Sequence, residues 1–154
     1  MGLCSILLLL DGEEVILSTS TREVSTSSFR DPAGCVFREN GEIYRQVNLV
    51  YKPHYDWLFQ SGLYQALIVK DLLIAHEEIE LMKEDAQQIK SADDSRSSIY
   101  KICKPKQVSF ISYPYEWCFS QLKDAALATL EIQSLALKHG MTLKDSNAFN
   151  IQFV

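Results

Sequence analysis

The chain has 154 residues, of which 47% are hydrophobic and 23% charged, and its net charge is −5 at pH 7. These proportions are ordinary for a globular protein and exclude wholesale disorder. Because the Lys and Arg residues are scattered rather than gathered, we expect no nucleic-acid partner. The apolar run at residues 5–10 is much shorter than the roughly 20 residues of a membrane span, so we expect no membrane partner and a cytoplasmic location.

Composition along the chain divides it into two parts. Residues 18–28 are rich in Ser and Thr, which is typical of a linker. We therefore expect residues 1–27 to form an N-terminal extension and linker, and residues 28–154 to form a single domain. The chain finishes on an apolar, strand-like run at residues 149–154, so we expect this domain to be truncated or incomplete at its C-terminus.

The first strong local signal is a β-hairpin. Residues 35–37 and 43–47 are short β-prone runs joined through Asn40 and Gly41, which favour a tight hairpin turn. Apolar residues then recur at steps of three and four between Tyr55 and Ile68, as in an amphipathic helix. Gly62 interrupts that pattern, so one bent helix and two short helices both fit.

Later segments predict further strands and one long helix. Residues 72–74 suit a short buried strand, residues 84–98 an exposed loop, and residues 99–103 and 107–112 a second pair of strands punctuated by Pro105. Residues 115–139 follow a helical pattern, which Gly140 closes. The predicted fold is therefore α+β, with antiparallel strands near 35–47 and 99–112 packed on a long helix near 115–139.

The tail holds the residues most suggestive of chemistry. The long helix is followed by Asp145, then by Asn150 five residues later, and then by a β-prone run. In phosphoryl transfer an Asp positions the acceptor hydroxyl and an Asn in this spacing holds magnesium. The segment resembles the catalytic loop of protein kinases and aminoglycoside phosphotransferases, which implies Asp145 as a catalytic residue and Asn150 as a metal ligand. Asp145 also fits an ordinary turn former.

The hairpin lies where a kinase carries its nucleotide-covering strands, so the resemblance implies a kinase-like amino-terminal region that uses Mg and ATP. Arg45 is the cation of the second hairpin strand, which makes it a candidate nucleotide-binding residue near the phosphates. An exposed strand residue is the ordinary alternative for Arg45. The turn has fewer glycines than a kinase Gly-rich loop, and the chain ends before a second metal-binding Asp.

A broader resemblance rests on several blocks of sequence, of which the block at residues 110–126 is the longest and most specific. The others are residues 28–32, 44–48, 61–64, 76–78 and 150–153. Together they resemble the front part of bacterial nodulation-protein-related, class I S-adenosylmethionine-dependent methyltransferases. The resemblance implies that S-adenosylmethionine binds only in a downstream domain, which would be the partner of this region. The chain has no G-x-G-x-G turn for that cofactor.

Three functions therefore remain open. The first is an accessory or substrate-recognition region of a methyltransferase-family protein, not catalytic by itself and with no cofactor of its own. The second is a kinase-like phosphotransferase or nucleotide-binding module that is incomplete in this chain. The third is an interaction module that forms a homodimer through an unpaired strand edge at residues 151–154.

Overall fold

The computed structural model describes residues 4–6, 23–24, 31–79 and 99–154. In this part of the chain the elements are strands β1 (Cys4–Ile6), β2 (Glu23–Val24), β3 (Gly34–Glu39) and β4 (Glu42–Asn48), helices α1 (Lys52–Gln60) and α2 (Leu63–Val69), strands β5 (His76–Ile79) and β6 (Ile99–Pro105), helix α3 (Phe119–Lys138) and strand β7 (Ile151–Phe153). The predicted α+β class is confirmed. The likeness to a kinase amino-terminal region stays a prediction.

The chain divides into two compact units. The sheet unit comprises Glu13–Tyr55 and His76–Gln107, and the helix unit comprises Met1–Gly12, Asp56–Ala75 and Val108–Val154. Two strands come from the segment predicted to be an extension, because β1 pairs with β7 and β2 pairs with β3. The prediction of a single domain over residues 28–154 stays a prediction.

In the sheet unit, the described strands form one antiparallel sheet in the order β2-β3-β4-β6-β5. The predicted hairpin is confirmed: β3 and β4 are joined by Asn40 and Gly41, which have φ of 52° and 80°. Positive φ at both central residues matches the right-handed twist of the flanking strands. At the other end of the hairpin, a Cβ on Gly34 would lie 1.9 Å from the carbonyl oxygen of Gln46, so only glycine fits there.

In the helix unit, α3 supplies the buried face around which the core forms. That face contains mainly small residues: Ala125, Ala128, Ile132 and Ala136. It belongs to a cluster with larger side chains from α2, from the segments that follow α2 and precede α3, and from β7: Leu63, Leu67, Leu72, Leu73, Trp117 and Ile151. Alanines allow close approach of neighbouring elements, and each fully buried large apolar side chain contributes about 1.5–3 kcal/mol.

Helix boundaries follow local signals. Gly62 has φ of 79° and separates α1 from α2, so the prediction of two short helices is the correct alternative. Gly140 has φ of 72° and ends α3, as predicted. α3 begins at Phe119, later than expected, because Pro114–Glu116 form a separate 3-10 turn in which Glu116 Oε2 accepts from the Tyr113 amide at 2.8 Å.

Some predicted strands are wrong. Residues 107–112 form no strand, because both backbone groups of Ser112 bond to the side chain of Gln152 instead: the amide donates to Oε1 at 2.9 Å and the carbonyl accepts from Nε2 at 3.1 Å. Residues 72–74 contain only a single bridge residue, Leu73. β5 was not predicted at all. The expected loop at residues 84–98 lies outside the described residues.

Candidate functional site

The three predicted site residues fall in two different units. Arg45 lies in β4 of the sheet unit, whereas Asp145 and Asn150 lie in the helix unit, in the connection between α3 and β7. Asp145 and Asn150 share that one connection, as the catalytic-loop resemblance requires. Their roles in catalysis, nucleotide binding and metal binding stay predictions.

The α3–β7 connection is organised by side chain to backbone hydrogen bonds. Asp145 Oδ1 accepts from the Asn147 amide at 2.9 Å, and Asn147 Oδ1 accepts from the Phe149 amide at 3.1 Å. The Asn150 amide donates to the Asn147 carbonyl at 3.0 Å and closes the 3-10 turn Ala148–Asn150. The carboxylate of Asp145 is exposed and contributes one oxygen to this turn. This geometry shows the turn-forming role of Asp145.

Arg45 stands in a row of side chains that crosses the sheet. Its cross-strand partners are Val36 on β3 and Cys103 on β6, and Cys103 is in turn paired with Glu78 on β5. Directly paired residues of neighbouring strands project from the same face. The guanidinium, the thiol and the carboxylate therefore lie on one face of the sheet.

The charge of Arg45 is held in a largely desolvated place. Its Nη2 lies 4.0 Å from Asp31 Oδ2, and the side chain is 23% exposed. Burial lowers the pKa of the guanidinium, while the Asp31 carboxylate acts in the opposite direction. Arginine nevertheless keeps its proton in proteins. Arg45 is thus a permanent, positioned cation on this face of the sheet.

The first turn of α1 brings Tyr55 onto the same face. The residue is 6% exposed, and its hydroxyl lies 3.1 Å from His76 Nε2, 3.0 Å from Glu78 Oε1 and 3.4 Å from Cys103 Sγ. We call these four residues the Tyr55 cluster. They come from α1, β5 and β6, which makes the hydroxyl the meeting point of three elements.

The proton count assigns the direction of each hydrogen bond. A tyrosine hydroxyl has one proton to donate and two lone pairs to accept with. The Glu78 carboxylate accepts that proton, so His76 Nε2 and Cys103 Sγ donate to the hydroxyl oxygen. The bonding capacity of the hydroxyl is therefore complete. Neutral His76 accordingly carries its proton on Nε2.

Charged neighbours surround the Tyr55 cluster at its exposed edge. Lys101 forms an ion pair with Glu78, and its hydrogen bond lowers the pKa of that carboxyl. Lys52 donates to the Tyr100 hydroxyl at 3.1 Å, and its ammonium lies 4.4 Å from the centre of that ring. The Tyr100 ring in turn meets the ring of Tyr55 edge-on, with centroids 6.1 Å apart. Two lysines, Lys52 and Lys101, and the ring of Tyr100 thus lie beside the cluster.

Burial sets the ionisation of the cluster. It raises the pKa of the Tyr55 hydroxyl well above its ordinary value and raises the pKa of the Cys103 thiol, so both groups stay neutral at pH 7. Burial also lowers the pKa of His76, which Glu78 opposes. A buried, saturated hydroxyl is poorly placed to react with a ligand. The cluster is therefore best suited to hold the first turn of α1 on the sheet and to fix the charged row beside it.

Sequence reasoning missed this cluster, because residues 76–79 were not recognised as a strand. Glu77 and Glu78 fit a solvated charged face, and no apolar alternation marks the segment. A weak signal was present, since His76 and Glu78 are two residues apart and would share one face of any strand. Nothing in the sequence linked them to Tyr55 or Cys103.

Two classes of feature are missing from the part of the chain that the structure describes. Across residues 31–79 and 99–154, no three His, Cys, Asp or Glu side chains are grouped to hold a metal ion. That search does not test Asn150 as a ligand. Within the same described ranges, no helix has the length and apolar character needed to span a membrane.

Comparison with known proteins gives one informative match. The chain is 30% identical over 126 residues to the nodulation protein NoeA of Rhizobium meliloti (strain 1021), which covers 82% of this chain and 24% of NoeA. The chain is a distant relative of this nodulation protein. It spans about a quarter of the length of NoeA. No protein-family model and no solved structure matches the chain.

The half-buried imidazole of His76 makes stability depend on pH. Its pKa is lowered in the folded state, so the unfolded chain binds the proton more readily. The stabilisation is therefore complete above the unfolded pKa of about 6.5 and is lost as pH falls through the lower folded value. Urea unfolding at pH 7.5 and at pH 5 should show a loss of stability on acidification that His76→Gln reduces, since glutamine does not titrate.

The other titratable groups of the Tyr55 cluster do not account for the difference in pH dependence between the wild type and His76→Gln. In the folded state the pKa of Glu78 is lowered and those of Tyr55 and Cys103 are raised, so none of the three changes charge there between those two pH values. The partial protonation of glutamates in the unfolded chain at pH 5 is common to the wild type and His76→Gln. An equal loss of stability in the wild type and in His76→Gln would show that the imidazole contributes nothing to the pH dependence.

Proposed function

We propose that this chain is an accessory, substrate-recognition region of a methyltransferase-family protein, without a methyl-transfer site of its own. The observation that carries the proposal is how its glycines are used. A class I methyltransferase core needs a glycine-rich turn between a strand and a helix, where the backbone approaches the cofactor. The six glycines of this chain include no pair separated by a single residue.

The glycines of the described segments each have another role. Gly34 makes room for the carbonyl of Gln46, Gly41 forms the hairpin turn, Gly62 separates two helices and Gly140 ends α3. Gly62 precedes a helix, but α1 rather than a strand comes before it. The residues present therefore do not fit S-adenosylmethionine, and we assign no step of methyl transfer to them.

The match to NoeA supports an accessory role because it leaves about three quarters of that protein outside the aligned region. A separate catalytic domain is typically 100–200 residues long, so a protein of that size has room for one. We propose such a methyltransferase domain as the downstream partner of this region.

The sheet face supports a recognition role. Arg45 is a fixed cation beside Asp31, and the ion pair of Lys101 and Glu78 lies on the same face. Side chains held in place by packing and hydrogen bonds lose little entropy when they contact a polar ligand. The row is therefore suited to contact a polar substrate rather than to transform it.

Calorimetric titration of the purified chain with S-adenosylmethionine tests this proposal. We expect no binding in the micromolar range, because the backbone turn that would hold the cofactor is not encoded in the chain. A class I methyltransferase titrated in parallel provides the positive control. Micromolar binding of S-adenosylmethionine to this chain would refute the proposal.

A second candidate is a kinase-like phosphotransferase or nucleotide-binding module, and the position of Arg45 favours it. Protein kinases carry their phosphate-contacting lysine on the third strand of the sheet, just before a helix. Arg45 lies in β4, the last strand before a helix, and α1 follows it. Two features differ: the β3–β4 turn has fewer glycines than a kinase Gly-rich loop, and the kinase lysine pairs with a glutamate of the next helix, whereas Arg45 pairs with Asp31.

The second candidate requires magnesium-dependent binding of ATP that uses the α3–β7 connection. If Asn150 is the metal ligand, Asn150→Ala should weaken binding of Mg-ATP about tenfold or more, which corresponds to about 1.4 kcal/mol. Ser146→Ala changes an exposed neighbour in the same connection and should leave the affinity unchanged. Unaltered affinity in Asn150→Ala, or no binding by the wild type, would exclude this role.

A further inference from the structure

Helix α3 is apolar on the side away from the core as well as on its buried side. Phe119 is 83% exposed, Leu130 66% and Leu137 62%, and Leu122 and Ala126 are exposed on the same side. We call these five residues the α3 stripe. Their spacing of three, four, four and seven residues places them along one side of a helix.

The apolar character of the α3 stripe is unusual for the outer side of a helix. A helix that faces solvent normally carries polar residues on its outer side, and a helix that is apolar on both sides is normally covered on both. Contiguous exposed apolar surface on a protein marks a contact with another molecule more often than scattered apolar residues do. The exposed apolar side chains of the α3 stripe therefore fit an interaction surface better than a solvated helix face.

Four of the five stripe residues are placed symmetrically about the level of Ala128, and the fifth, Leu122, lies at the level of Ser134 in an antiparallel pair. Phe119 precedes Ala128 by nine residues and Leu137 follows it by nine, while Ala126 precedes it by two and Leu130 follows it by two. In an antiparallel two-fold pair of helices, residues at equal distances on either side of the centre face each other. Phe119 of each copy would then meet Leu137 of the other, and Leu130 would meet the small Ala126. Large residues opposite small ones allow two helices to interdigitate.

Charges beside the stripe fit the same pairing. Lys123 and Glu131 are eight residues apart, which places both on one flank of the stripe, and both are exposed. The same flanks meet in an antiparallel pair, so Lys123 of one copy comes within a helical turn of Glu131 of the other. Glu131 also accepts from Lys70 of its own chain at 2.7 Å, so it would lie between two cations.

We propose that the α3 stripe binds the α3 stripe of a second copy of this chain, in an antiparallel two-fold dimer. The self-complementarity of the stripe in both side-chain size and charge selects this occupant over an unrelated polypeptide. The proposal does not depend on the function proposed above, since neither the sheet face nor the α3–β7 connection takes part in the pairing.

Sedimentation equilibrium at several loading concentrations tests the dimer. We expect the wild-type chain to dimerise and Leu130→Asp to weaken dimerisation at least tenfold, because a carboxylate would be buried at the centre of the interface. Val50→Asp is the matched control: Val50 is also apolar and 67% exposed but lies in the 3-10 turn Leu49–Tyr51 of the sheet unit, so dimerisation should be unchanged. Circular dichroism establishes that each variant is folded.

A charge exchange tests the antiparallel arrangement itself. Lys123→Glu alone and Glu131→Lys alone should each weaken the dimer, because each places like charges opposite each other across the interface. The double variant should recover much of the lost affinity. A wild-type chain that is monomeric at every concentration, or self-association that persists unchanged in Leu130→Asp, would overturn the proposal.

Discussion

The hydroxyl group of Tyr55 is the interaction on which the sheet unit depends. It donates to Glu78 and accepts from His76 and Cys103, so one buried polar atom joins the first turn of α1 to two strands. A buried hydroxyl without partners would cost about 1–3 kcal/mol, whereas a fully bonded one stabilises the arrangement around it. Because Cys103 is also the cross-strand neighbour of Arg45, the same contact helps to position that half-buried cation.

The helix unit is organised by a different constraint, the narrow face of alanines on α3. Ala125, Ala128 and Ala136 let the apolar residues of α2 and β7 approach the helix closely. The buried side chain of Gln152 then bonds to both backbone groups of Ser112 and takes the place of a neighbouring strand. These contacts place β7 and, with it, the connection that holds Asp145 and Asn150. Arg45 belongs to the sheet unit, and Asp145 and Asn150 belong to the helix unit.

Features encoded by residues close together in the sequence could be predicted, whereas contacts between distant residues could not. The β3–β4 hairpin and the end of α3 at Gly140 are encoded by adjacent residues, and both were predicted correctly. β5 was not, because three of its four residues are polar and the segment acquires strand structure only by pairing with β6. The Tyr55 cluster joins residues 21, 23 and 48 positions apart, so no local pattern reveals it. The sequence placed Arg45 on the correct strand. That it lies in one row with Cys103 and Glu78 follows only from the pairing register of β4, β6 and β5, which the sequence does not reveal.

The most direct test of this account is a double-mutant cycle between Tyr55→Phe and Glu78→Ala, with the free energy of unfolding measured for all four proteins. If the Tyr55 hydroxyl organises the cluster, the two substitutions should be coupled by about 1 kcal/mol or more, because each removes the partner of the other. Effects that add to within about 0.3–0.5 kcal/mol would show that the two side chains act independently, and would contradict the central role of the hydroxyl.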